Sequence, residues 1–301
     1  MFYKHLGIIG FLGIFWKSEF KLFFLFYLIY IIDPLLKIKK LKTVGKQDDV
    51  DLSKYFLGLA FSTFNPYYLW LAGKQSYGHM VIFFRNITGL PQKENYRNSV
   101  EYNLPFHGEW SVANGGSTKE NSHSWQILTQ RYALDFVIEN ESNVTHQGDG
   151  MNLGDYFCFE KDVISPADGV VVQVSNKIKD YEGVGDYSID WKVRDFRGNF
   201  VVTQHSKKEY SFIAHFKHNT IRVKKGEKVK QGQLIGQCGN SGHSTEPHIH
   251  FHLQDNRIFW VATGLPIRFK RFSAKSQNKN ATIRINDFAE KNEIVSNTLS
   301  E

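Results

Sequence analysis

The sequence predicts an all-β domain, an antiparallel β-sandwich or barrel-sandwich, preceded by a hydrophobic helical membrane segment at the amino terminus. Three observations carry this. From about residue 100 onward, short runs rich in β-branched and aromatic residues recur between glycine-containing turns: "ISPADGVVVQV", "GNFVVTQHS", "YSFIAHF", "TIRVKKGEKVKQGQLIGQCG" and "PHIHFHLQ". No long amphipathic helical pattern interrupts them, which favours strands packed on strands. The first part of the chain is instead the most apolar, in two uninterrupted runs.

Those runs, "LGIIGFLGIFW" (6–16) and "LFFLFYLIYII" (22–32), have eleven residues each. As helix, each covers about 16 Å of a hydrocarbon core about 30 Å thick. They are expected either to form a shallow helical hairpin or, with Lys21 snorkelling and Leu35 and Leu36 extending the second run, to span with that run alone; both make residues 1–36 a retained anchor, since no small-residue cleavage site follows. Residues 37–99 read as a basic linker plus one further segment. "KIKKLKTVGK" carries five lysines and no acid, which the positive-inside rule assigns to the cytoplasm. Tyr55 to Gly73 then runs nineteen residues without a charge, interrupted by Ser62, Thr63, Asn65 and Pro66. It is expected either to cross the bilayer, placing the following domain outside, or to lie as an interfacial or packed helix. The β-domain is expected over 100–272, and 273–301, rich in Ser, Asn, Lys and Glu, as a polar mobile tail.

With 301 residues, 42% of them hydrophobic, the chain holds enough material for one substantial core with accessory segments. Two cysteines, Cys158 and Cys238, are too few for a disulfide framework and match no zinc-cysteine spacing. A net charge of +7 favours an anionic neighbour such as a lipid surface or a cell-wall polymer. Nucleic acid is disfavoured as a partner, because the lysines are scattered or flank apolar runs and no recognition motif is present.

Within "EPHIHFHL", His248, His250 and His252 occupy alternate positions, so a strand points all three to one face and Ile249, Phe251 and Leu253 to the other. Three imidazoles in register beside a Gly/Ser/Thr/Pro loop point to metal binding or proton transfer. "VISPADGVVVQV" followed by "VKKGEKVKQGQLIGQCGNSGHSTEPHIHFHL" resembles the lysostaphin-like zinc metallopeptidases, which cut peptidoglycan and share the duplicated hybrid motif fold. The resemblance covers about residues 100–268, and the pairing with "GNSGHSTEPHIHF" is its specific part.

The resemblance implies a bound Zn²⁺, with His250 and Asp135 of "QRYALDF" as ligands. It implies His248, just off the metal, and His215 of "SFIAHF" as the two catalytic histidines, and a structural part for His205. A catalytic zinc needs three N or O ligands and an open position for water. The family places its remaining ligand, a histidine, four residues before the aspartate, and here that position is Arg131, which cannot ligate a cation. His123 of "NSHSW" is the leading replacement, ahead of His107 and His146; alternatively Arg131 pairs with Asp135 and the domain holds no metal. His252 stands where the family commonly has an acid, and Ile213 where it has an aromatic. The glycine-rich stretch 139–156 is expected either to line a binding groove or to form a surface insertion.

The expected function is a membrane-anchored zinc endopeptidase acting on peptidoglycan peptides at a bacterial cell membrane, its catalytic domain outside the cytoplasm and membrane lipid its second partner. The alternative is a metal-free binding or regulatory module.

Overall fold

A computed structural model describes residues 53–276 and 280–298. The anchor expected over 1–36 and the lysine-rich run after it lie outside the described residues.

Two helices come first, α1 (Ser53–Ser62) and α2 (Pro66–Arg85). The uncharged stretch Tyr55 to Gly73 is therefore not one helix. It breaks at its polar residues: the Thr63 hydroxyl donates to the Ala60 carbonyl at 2.6 Å, and the Asn65 side chain accepts from Tyr67 N–H at 2.9 Å, capping α2. Pro66 then sits in the first turn, where its missing N–H costs nothing. Among the described residues, no helix is long and apolar enough to cross a membrane.

The strands follow in chain order: β1 (Glu109–Gly115), β2 (Leu134–Val137), β3 (Asp162–Ile164), β4 (Gly169–Ser175), β5 (Phe200–Ser206), β6 (Glu209–Ala214), β7 (Lys228–Val229), β8 (Leu234–Gln237), β9 (Ile249–Gln254), β10 (Gly264–Leu265), β11 (Phe269–Ser276), β12 (Thr282–Asp287) and β13 (Glu293–Asn297). The large sheet runs β12-β11-β13-β1-β2-β9-β6-β5-β4-β7, with β10 added to β9, and β3 pairs β8 in a second small sheet. Its ladders are antiparallel, as the short strands and tight turns predict. β5 and β6, for example, are joined by only Lys207 and Lys208.

The main core collects Ile249, Phe251 and Leu253 from one face of β9, with Phe136, Ile213, Trp110 and Phe106 from its neighbours. The opposite face of β9 is covered by a smaller cluster of Phe200, Val202, Phe212, Ala214 and Phe259. All six residues of β9 are thus buried, so the face carrying His250 and His252 is not a solvated one.

The expected mobile tail after residue 273 is corrected by the described residues. β11, β12 and β13 extend the sheet, with β13 paired to β1. The apolar residues that anchor them are few but alternate: Phe272, Ala274 and Val295 are almost wholly enclosed, amid polar neighbours that gave the segment the composition of a tail. The buried Glu293 takes its partner from β12, where Arg284 Nη2 donates to it at 2.6 Å.

Candidate metal and catalytic site

The strand order β2-β9-β6 builds the site. Asp135 on β2 stands directly across from His250 on β9, and His250 stands across from Ala214, the last residue of β6. The next residue, His215, has φ +63°, a left-handed conformation unusual for a residue with a side chain. Its ring centroid lies 4.7 Å from that of His248 and 5.8 Å from that of His250.

Hydrogen bonds decide which nitrogen of each ring is free. A backbone carbonyl only accepts, so the His215 Nδ1–H donates to the Ser241 carbonyl at 2.6 Å. His248 Nδ1–H likewise donates to the Glu246 carbonyl at 2.9 Å, with the Ser244 hydroxyl at 3.1 Å. Both rings therefore keep Nε2 available, and His248 Nε2 lies 3.8 Å from Asp135 Oδ1. The same backbone anchors fix the tautomers that general acid–base work requires.

A longer chain of bonds governs His250. Gln254 Nε2 donates to the Asn256 carbonyl at 2.6 Å, which turns Gln254 Oε1 toward His252 Nε2 at 2.9 Å. An amide oxygen accepts, so His252 donates there and its Nδ1 is an acceptor. His250 Nε2–H then donates to His252 Nδ1 at 3.2 Å, leaving a lone pair on His250 Nδ1. That nitrogen lies 2.8 Å from Asp135 Oδ1. Two electron-pair donors at this separation repel unless a positive centre, a proton or a metal cation, lies between them.

Asp135 Oδ2 meets a second imidazole, His123 Nε2, at 3.4 Å. The loop carrying His123 is held by its two flanking serines: Ser122 donates to the Arg131 carbonyl at 2.8 Å and Ser124 to the Gln130 carbonyl at 2.6 Å. Arg131 itself turns away, its guanidinium 4.8 Å from the centroid of the Trp125 ring. No ion pair joins Arg131 to Asp135 among the described residues. Two imidazoles and a carboxylate form the N,N,O donor set typical of catalytic zinc, so the residues present fit the metal. They do not stand as a ready-made cage; among the described residues no three such side chains do.

The electrostatics follow from enclosure. Burial would push the Asp135 carboxyl up, but protons carried by His123, by His250 at Nδ1 and by His248 hold it well below the usual carboxylate range. Burial, then the neighbouring His248 and His250, pushes His215 well down, and burial and His250 bring His252 to about 3. His123 is lowered by burial, against the pull of Asp135. Tyr55 of α1 reaches the same neighbourhood: burial, then the Asp135 charge, raises its phenol.

The structure thus brings together His123, Asp135, His215, His248 and His250, the five residues singled out from the sequence. His205 stands apart, bonded to the Asp168 carbonyl and the Ser211 hydroxyl at 2.8 and 2.7 Å. His146 lines a separate cavity of about 330 Å³, walled by part of the 139–156 stretch with Tyr187, Thr245 and Glu246. Sequence reasoning missed the supporting set, Ser241, Gln254, Ser122 and Ser124. Only Gln254 left a signal, continuing the same-face alternation of β9.

These features gather one carboxylate and four imidazoles, of which those of His215 and His248 make no hydrogen bond through Nε2 among the described residues. Residues 154–259 match Peptidase family M23. It is 32% identical over 144 residues to the peptidoglycan DD-endopeptidase ShyA of Vibrio cholerae, covering 44% of this chain and 29% of that protein. It is 33% identical over 68 residues to the glycyl-glycine endopeptidase ALE-1 of Staphylococcus capitis, covering 23% of this chain and 19% of the relative. The chain therefore spans less than a third of the length of these relatives. Among solved structures, it is similar to the catalytic domain of lysostaphin from Staphylococcus simulans, with 18% identity, a TM-score of 0.28, and 57% and 90% of the two chains covered.

Proposed function

We propose that this chain is a membrane-anchored zinc endopeptidase that hydrolyses peptide bonds in peptidoglycan, working on the outer side of a bacterial cell membrane. The observation that carries this reading is the approach of His123 and His250 to the two oxygens of Asp135, beside two histidines whose Nε2 atoms are free.

His123, Asp135 and His250 hold the metal, which when bound supplies Lewis acidity toward water and the scissile carbonyl. His215 and His248 handle protons: their Nδ1–H groups stay on backbone carbonyls while Nε2 takes a proton from water or gives one to the leaving amine. The cavity beside Thr245 and Glu246, two residues before His248, supplies the groove for a peptide. The names of the relatives, peptidoglycan DD-endopeptidase and glycyl-glycine endopeptidase, support a cell-wall peptide as substrate. The apolar runs at 6–16 and 22–32 support the anchor.

The test is metal content and turnover of the purified full chain. Wild type is expected to carry about one zinc per chain. His250→Ala is expected to lose the metal, whereas His215→Ala keeps it and loses peptide hydrolysis. A well-folded wild-type chain that takes up no zinc overturns the proposal.

A further inference from the structure

The helix pair presents a large apolar surface to the outside. Trp70, Tyr77, Met80 and Phe84 of α2 are each more than half exposed, at 65%, 61%, 54% and 65%. Their spacing of seven, three and four residues sets them along one stripe of the helix. Phe64 before α2 and Ile87 after it, 66% and 73% exposed, lengthen the patch at both ends.

The opposite side of α2 is also apolar and already occupied. Leu71, Gly78 and Ile82 are buried, and Gly78 lies so close to the Trp260 carbonyl that a Cβ there would come within 1.6 Å of its oxygen. Of the two cations of the helix, Arg85 is drawn off the outer stripe and Lys74 packs against the ring of Trp70 at its edge. Arg85 Nη2 pairs with Asp255 at 2.8 Å, and Lys74 lies 5.2 and 5.8 Å from the ring centroids of Trp70 and Trp260. Apart from Lys74, what remains outward is uncharged and mostly aromatic, on a helix about 30 Å long. Isolated exposed apolar residues need no partner, but a contiguous stripe of this size does.

We infer that the outer stripe of α2, with Phe64 and Ile87, lies in the headgroup region of a lipid bilayer, the helix parallel to the membrane plane. Three observations select lipid over a protein occupant. Trp and Tyr beside Phe and Met are the residue types that settle at a membrane–water boundary. The one cation at the stripe's edge, Lys74 over Trp70, has the sign that anionic headgroups attract. The chain that leads into α1 carries the two eleven-residue apolar runs, the second ending at Ile32, with "KIKKLKTVGK" between it and Ser53. That run supplies the basic charge that anionic headgroups attract. The helices also touch the site, since Tyr68 of α2 stacks on His243 with centroids 5.6 Å apart, two residues from the Ser241 carbonyl that anchors His215. Seating α2 on lipid therefore fixes where the catalytic cleft stands relative to the membrane.

This inference deepens the membrane part of the proposed function, and its test needs neither zinc nor turnover. Cys158 and Cys238 are buried, so single cysteines introduced as Trp70→Cys, Tyr77→Cys or Phe84→Cys can be labelled selectively with bimane. Lys225→Cys, in an exposed turn, serves as the reference. The full chain is reconstituted into vesicles of phosphatidylethanolamine and phosphatidylglycerol. The three stripe labels are expected to shift to the blue and to be quenched several-fold more by nitroxide lipid than the reference, which soluble iodide quenches instead. Stripe labels that iodide reaches as readily as the reference overturn the inference. Labels shielded from iodide yet untouched by nitroxide lipid also overturn it, and place protein on the stripe.

Discussion

His252 shows how one side chain without access to solvent can govern a site it does not line. It is fully enclosed and stacked on Phe212, with centroids 4.9 Å apart, and it stands between His250 and Gln254. Its role in the chain of donations is to hold the proton on His250 Nε2, so that Nδ1 faces Asp135. Replacing it by phenylalanine keeps the packing and removes the acceptor. His252→Phe is therefore expected to bind zinc about 10- to 100-fold more weakly, the usual penalty for losing a partner of a metal-binding histidine. His252→Glu, which still accepts from Nε2, is expected to recover most of that loss. Competition with a chromophoric chelator measures both. Equal affinities for wild type and His252→Phe would remove His252 from the site's support.

At the scale of elements, the loop carrying His123 and the helix carrying Gly78 are each set by small residues at close approaches. Ser122 and Ser124 tie the loop to the segment before β2, while Arg131 packs on Trp125 instead of facing Asp135. Arg131→His is accordingly expected to raise zinc affinity little, because on the proposed reading His123 stands beside Asp135 as the third ligand; a large gain in the chelator assay would mean that His123 does not bind. On α2, a methyl group at position 78 collides with the Trp260 carbonyl. Gly78→Ala is expected to cost about 1–3 kcal/mol in urea unfolding, as overpacking does. Loss of the Tyr68–His243 stack should accompany it if the helix shifts.

For the whole molecule, the acid side of the stability curve should carry the signature of enclosed histidines. His243 is held at about 4, chiefly by burial between Tyr68 and Phe196. Its pKa in the unfolded chain is about 6.5. Between these values the unfolded chain binds the extra proton, so stability rises with pH through the window and is lost on acidification from about 6.5 to about 4. The contribution is on the order of 2 kcal/mol after allowing for its partial exposure. His243→Phe should flatten this part of the curve, measured by denaturant unfolding at several pH values. An unchanged slope would show that folding does not lower the His243 pKa.

The sequence by itself determined the β-rich character of the domain and the alternation of β9, and through a family resemblance it singled out His123, Asp135, His215, His248 and His250 as candidates. The first two are written in local periodicity, and spacing along one strand survives folding unchanged. Tertiary structure decided what pairs across strands. It placed His123 against Asp135, drew Arg131 off to Trp125, and made His252 and Gln254 a buried relay. It also turned 282–287 and 293–297 into strands where composition suggested a tail. Those outcomes depend on which carbonyls, rings and neighbouring strands lie within hydrogen-bonding or packing reach, and the ladders that bring residues 135 and 250 face to face join positions far apart in the chain.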